Sequence, residues 1–255
     1  MRFTALYVGG HAEELTERYI WSTDDAVTVY ADKKRNEILI ARMVPMKPAK
    51  PFNDSEVRKA AHKKLLQHAK ERDDTVVIDE LGLHNGACRV DIAVVNGHIR
   101  GIEIKAEADN LNRLASQVSA YGTVVDTATL IVAKRHLEEA LKALPEWWGV
   151  IVAARCANQS IRFNRVRPDR VNRHVEPLKL LRLIWRAEAV ELLTTLRPEL
   201  NASNWNRDTL YVEIARILPK THLRAEVRRI LKARGNWRDR RQSLLYDGSS
   251  PPSAM

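Results

Sequence analysis

A chain of 255 residues, 45% hydrophobic and 29% charged, can bury a full core and is too apolar to be disordered. No apolar run reaches the roughly 18 residues of a membrane helix. Glu13 and Glu14 interrupt the N-terminus before any signal-peptide core, and Cys88 and Cys156 are too few for a disulfide framework, so a cytoplasmic protein away from membranes is expected.

Residues 1–44 form an N-terminal extension. Within it AVTVYADKKRNEILIARMV alternates around a polar turn and predicts a β-hairpin, 26–31 pairing with 37–43. Pro45, Pro48 and Pro51 then mark an extended linker, since proline lacks the amide and restricts its neighbour. Asp54 can cap a helix through SEVRKAAHKKLLQHAKER, with Val57, Ala61 and Leu65 on its apolar stripe. Strands are predicted over 75–81, 88–95 and 98–106, the last two joined at Asn96-Gly97, which tolerates a tight turn. A helix over 110–121, a strand over 127–133, a helix over 137–144 and a strand over 149–154 follow. The order αβββαβαβ makes 52–160 an α/β domain. After a basic linker over 165–177 the periodicity is helical: 178–196, 208–218 and 223–233, with Pro219 and Gly235 as stops. These helices make a module over 175–245, and 246–255 reads as a disordered tail.

Chemistry concentrates in the second and third strands of that domain. Asp91 sits inside the apolar run RVDIAVV, where an unpartnered acid is costly to bury. Glu103 and Lys105 are two apart on the next strand and share a face. Carboxylates on neighbouring strands can hold a hard cation such as Mg²⁺, and a lysine beside them can orient a water. A two-residue turn would set Asp91 opposite Ile102 and put Glu103 off register; a bulge or longer loop would restore the pair. Glu80 ends the preceding strand and can reach the same place. Gln117 and Tyr121 are one helical turn apart. The structural alternative for each is plain: an exposed strand face for Glu103 and Lys105, a strand-end acid for Glu80, and packing for Gln117 and Tyr121.

The series Glu80, Asp91, Glu103-Ile104-Lys105, Gln117-x-x-x-Tyr121 resembles the PD-(D/E)xK nuclease superfamily, in particular its RecB-type branch. The resemblance covers roughly 52–154, with Val90 where the family has proline. It implies a restriction-endonuclease-like αβββαβ core and a metal-dependent nuclease, a hydrolase of phosphodiesters. Asp91, Glu103 and Glu80 would hold Mg²⁺, with Mn²⁺ as a substitute. Lys105 would activate the water, and Gln117 and Tyr121 would support the site.

Charge adds a second argument. Residues 1–160 carry 22 Lys and Arg against 22 Asp and Glu, whereas 161–255 carry 20 against 10, so the net charge of +10 lies entirely in the C-terminal part. Such asymmetry points to a polyanion, DNA first. The last two helices suggest a helix-turn-helix in which Arg224, Arg228, Arg229, Lys232 and Arg234 face phosphate; the alternative is a helical cap with its arginines paired to acids. Two functional readings result. One is a DNA endo- or exonuclease. The other is a non-catalytic nucleic-acid-binding protein, or a subunit dependent on a protein partner or a second copy, that keeps the nuclease fold.

Overall fold

The computed structural model describes residues 16–21, 26–32, 37–40, 51–156 and 159–234. The chain divides into two compact units, Met1–Lys50 and Pro51–Met255. In the first, β1 (Thr16–Trp21), β2 (Ala26–Asp32) and β3 (Glu37–Ile40) form an antiparallel sheet in that order. The predicted hairpin is its β2–β3 pair; the added strand β1 pairs with β2, Trp21 opposite Ala26. Residues 41–43 of that hairpin, part of the proline linker, residues 235–245 and the tail over 246–255 lie outside the described residues.

The second unit begins with α1 (Asp54–Lys64) and the short α2 (Gln67–Lys70). The cap of α1 is Asn53, one residue before the expected Asp54. Asn53 Oδ1 accepts from the Glu56 amide at 3.0 Å, and Glu56 reaches back to the Asn53 amide at 3.0 Å, a reciprocal capping box. A six-stranded sheet follows in the order β4 (Val76–Leu83), β5 (Cys88–Val95), β6 (Ile99–Lys105), β7 (Thr127–Ala133), β8 (Trp148–Arg155) and β9 (Ile161–Arg167). Pairing is antiparallel from β4 to β6, parallel through β7 and β8, and antiparallel again at β9. The parallel pairs are reached by crossovers containing α3 (Leu114–Gly122) and α4 (Leu137–Ala143).

Helices cover both faces of the sheet. Val57, Ala61 and Leu66 pack with Ile92, Ile102, Ile104 and Ile131 on one face. On the other, Leu130, Val132 and Val150 share one core with α3, α4 and the C-terminal helices α5 (Pro177–Leu181), α6 (Arg186–Leu196), α7 (Arg207–Ile217) and α8 (Lys220–Ala233). The architecture is therefore the expected αβββαβ core followed by an all-helical basic module, with the module built into the same compact unit. Two expectations are corrected. The single helix over 178–196 is broken at 182–185, and the stretch expected as a linker from 165 begins inside strand β9.

Candidate functional site: a polar cluster between β5, β6 and α3

The hairpin register decides which acids meet. Val95 pairs with Ile99 and Ile92 with Ile102, so the loop is three residues, Asn96 to His98, closed by the Asn96 amide donating to the His98 carbonyl at 3.0 Å. The longer loop moves the register by one from a two-residue turn and brings Asp91 level with Glu103. Ladder pairing with β6 ends at Ile92, and the Asp91 carboxylate takes over beyond it, Oδ2 accepting from the Ile104 amide at 2.7 Å. On the other side of β5, Glu80 interrupts the ladder with φ of 60°, between the pairs Asp79–Ile92 and Leu81–Val90. A non-glycine residue in this region is strained.

Glu103 is 1% exposed and accepts three hydrogen bonds. Lys105 Nζ donates to Oε1 at 2.8 Å, Gln117 Nε2 to the same oxygen at 2.5 Å, and the Tyr121 hydroxyl to Oε2 at 2.6 Å. The i, i+4 spacing on α3 aims Gln117 and Tyr121 at one carboxylate. Gly101 makes room: a Cβ there would lie 2.8 Å from Tyr121 Cε1. Burial, then the Glu103 charge, pushes the Tyr121 phenol well above its ordinary range, so it stays protonated and donates.

One residue that the sequence reading passed over organises the other half. Arg58 of α1 lies among three carboxylates. Its Nη2 is 3.1 Å from Asp91 Oδ1, 3.0 Å from Glu80 Oε1 and 3.4 Å from Asp54 Oδ2, while Nη1 donates to the Asp91 carbonyl at 2.5 Å. Glu80 also lies 3.5 Å from Arg89. Burial, followed by repulsion from Glu103, raises the Asp91 carboxyl to about 7 despite Arg58 and the Ile104 amide. Burial likewise raises the nearby Cys88 thiol. The cluster lines a cleft of about 640 Å³, edged by His84, Arg113 and Ser116.

The structure thus brings Glu80, Asp91, Glu103, Lys105, Gln117 and Tyr121 into one cluster, all but the fully buried Tyr121 lining the cleft, joined by ion pairs and hydrogen bonds that leave Gln117 Oε1 buried without a partner. The positive charge beside Asp91 and Glu80 is the Arg58 guanidinium, and the charge beside Glu103 is Lys105. Among the described residues no group of three or more His, Cys, Asp or Glu is arranged to hold a metal ion.

The basic residues expected on the nucleic-acid face of α8 are mostly occupied. Arg224 and Arg228 reach the buried Asp126 at 3.5 and 4.0 Å. Arg229 pairs with Glu226 at 2.9 Å. Arg234 bonds both oxygens of Glu188, donates to the Leu183 carbonyl at 2.8 Å and stacks on Trp185 at 4.1 Å. Lys232 is half-buried. Arg224, Arg228 and Arg234 therefore act as the cap alternative has it, because acids of the sheet end and of α6 draw them inward.

Fold and cluster together define a mixed α/β core carrying a cluster of carboxylates paired with Arg58 and Lys105, followed by helices. The chain belongs to the family of Bacteriophage P4 protein cII, whose model matches residues 49–247. Protein cII of Enterobacteria phage P4 is 28% identical over 120 residues, 47% of this chain and 45% of that protein. The chain thus spans less than half the length of this curated relative. No solved structure matches it. The expectation of a Mg²⁺-dependent phosphodiesterase, with its labels of nuclease, endonuclease, hydrolase and metal-binding protein, is corrected on two grounds. The acids pair with Arg58 and Lys105 and, among the described residues, form no group of three or more side chains arranged to hold a metal ion, and the family is described by a phage protein, not by a hydrolytic activity. No helix among the described residues is long and apolar enough to cross a membrane.

Proposed function

We propose that this protein is a non-catalytic nucleic-acid-binding member of the phage P4 cII family that keeps a nuclease-like sheet as scaffold. The observation that carries the reading is the charge: the excess of ten positive charges lies wholly in residues 161–255. Closure of the Asp91–Glu103 cluster supports the non-catalytic half, since Glu103 is buried with both oxygens engaged. A surface rich in arginine binds phosphate by charge and by its planar donor fork, without reading bases.

The test is fluorescence anisotropy of labelled duplex and single-stranded DNA and RNA against rising salt. Gel assays of the same mixtures with Mg²⁺, with Mn²⁺ and with chelator run alongside. Binding that weakens steeply with salt, is indifferent to metal and leaves the strands intact is the expected result. Absence of binding at low salt overturns the reading. Metal-dependent cutting abolished by Lys105→Ala overturns its non-catalytic half.

A further inference from the structure

Among the described residues most arginines of α6, α7 and α8 are paired with acids or carbonyls, so the exposed positive charge is sought elsewhere. It surfaces on the edge of the sheet. Residues 161–175, IRFNRVRPDRVNRHV, hold five arginines against a single acid, Asp169. Arg167 is used internally, donating to the carbonyls of Trp148 at 2.8 Å and Pro145 at 3.1 Å. The other four, Arg162, Arg165, Arg170 and Arg173, are exposed. Arg162 and Arg173 have no ion pair or side-chain hydrogen bond among the described residues. Arg165 comes only within 3.9 Å of Asp169, and Arg170 within 3.6 Å of the exposed Glu146.

This strip is held firmly. β9 is the last strand of the sheet, so its outer edge is unpaired among the described residues. The segment after it is pinned back across the sheet end. The Arg170 amide donates to the Trp147 carbonyl at 2.8 Å, and Asn172 Nδ2 to the carbonyls of Gly122 and Val125 at 2.7 and 2.8 Å. Gly149 permits the close crossing, because a Cβ there would lie 2.9 Å from the Asp169 amide nitrogen. Beside the strip runs a groove of about 390 Å³ lined by Leu65, Val94, His98, Arg100, Arg170 and Val171. Arg100 is half-exposed, and Leu65 and Val171 are exposed apolar side chains at 37% and 60%. A charged edge can serve merely to block sheet-to-sheet pairing. That role does not reach Arg170 and Arg173, which lie beyond the strand.

We infer that the β9 edge and the pinned segment 168–174 are the nucleic-acid-binding surface. Arg162, Arg165, Arg170 and Arg173 would contact backbone phosphates, and the apolar floor of the adjoining groove would pack against sugar. This rests on the nucleic-acid-binding reading above and places it on a face other than α8. Arg162 and Arg165 lie three residues apart, about 10 Å along the strand, and flank its edge from opposite faces, so they reach separate phosphates. The contacts are to backbone, so the surface is indifferent to base sequence.

The full chain is tested by anisotropy on duplex DNA over a salt series, alongside the triple variant Arg162→Gln, Arg165→Gln, Arg173→Gln and the α8 variant Arg229→Gln. The triple variant is expected to bind at least about tenfold more weakly. Its log affinity should fall with log salt less steeply by about 2.7, since each lost phosphate contact removes about 0.9. Arg229→Gln should bind as the parent does. Circular dichroism melts establish that all three are folded. A parent that binds while the triple variant binds equally overturns the surface and leaves the function standing. A parent that does not bind overturns both. A parent that prefers poly-glutamate to DNA, with the triple variant losing that preference, assigns the strip to an acidic protein and overturns the inference.

Discussion

Arg58 and Asp91 are joined twice, by Nη2 to the carboxylate at 3.1 Å and by Nη1 to the main-chain carbonyl at 2.5 Å. This ties α1 to the point where β5 leaves β6. The same guanidinium serves Glu80 and Asp54, so one side chain contacts three acids. Removing it strands the partly buried charges, a loss of about 3–5 kcal/mol for such pairs. Arg58→Ala is therefore expected to lower the stability seen in urea unfolding at pH 8 by an amount of that order. Arg58→Lys should recover only part, because an ammonium cannot span three carboxylates with a planar fork. An unchanged midpoint for Arg58→Ala would show that the clamp carries no weight.

Asp91 gives that clamp a pH dependence. Its carboxyl is raised to about 7, first by burial and then by Glu103, whereas in the unfolded chain it titrates near 3.9. A raised acid favours the protonated fold. The fold therefore carries no penalty below about pH 4, loses stability as pH rises toward 7, and bears the full cost above it, of the order of a few kcal/mol. Asp91→Asn cannot ionise. The difference in unfolding free energy between parent and variant should shift against the parent from pH 4 to pH 7.5 and then level off. A flat difference across that range would remove the assignment.

How much of this was legible in the sequence differs from element to element. β5 and β7 match their expected bounds, because CRVDIAVV and TATLIVA are β-branched runs closed by turn residues. Spacing gave Glu103 a common face with Lys105 on a strand and Gln117 a common face with Tyr121 on a helix, while only the family resemblance put the two pairs together. Arg58 could not, since it stands among lysines on an amphipathic helix and its partners lie 22 and 33 residues away. β9 was hidden by its composition: an edge strand rich in arginine lacks the apolar alternation of a buried one. The inward turn of Arg224 and Arg228 depends on Asp126, about a hundred residues earlier, which no local pattern reveals.

Tyr121 and Gly101 form a matched pair, the ring lying where a side chain on β6 would otherwise be. Tyr121→Phe keeps the ring and removes the bond to Glu103, which should cost about 1.5–3 kcal/mol as the loss of a hydrogen bond to a charged group. Gly101→Ala drives the ring outward and should cost about 1–3 kcal/mol by overpacking. The two changes act at one contact, so the double variant should lose less than their sum. Strict additivity in a double-mutant cycle would show that ring and hydroxyl act independently.

Asp126 is the anchor of α8. It is 4% exposed, Oδ2 accepts from the Ile99 amide at 2.8 Å, its carbonyl accepts from the Asn172 amide at 2.8 Å, and Arg224 and Arg228 lie at 3.5 and 4.0 Å. Asp126→Asn keeps an oxygen for the Ile99 amide but takes the counter-charge from two partly buried arginines. Its cost should fall mainly on α8, at about 1–3 kcal/mol. Hydrogen exchange checks this region by region: amides of Leu223–Leu231 should exchange faster in the variant while those of β6 and β7 hold their protection. The change also separates the two surfaces weighed for nucleic acid. Freed arginines on α8 would strengthen DNA binding if that helix were the contact face, whereas binding along β9 leaves affinity where it was.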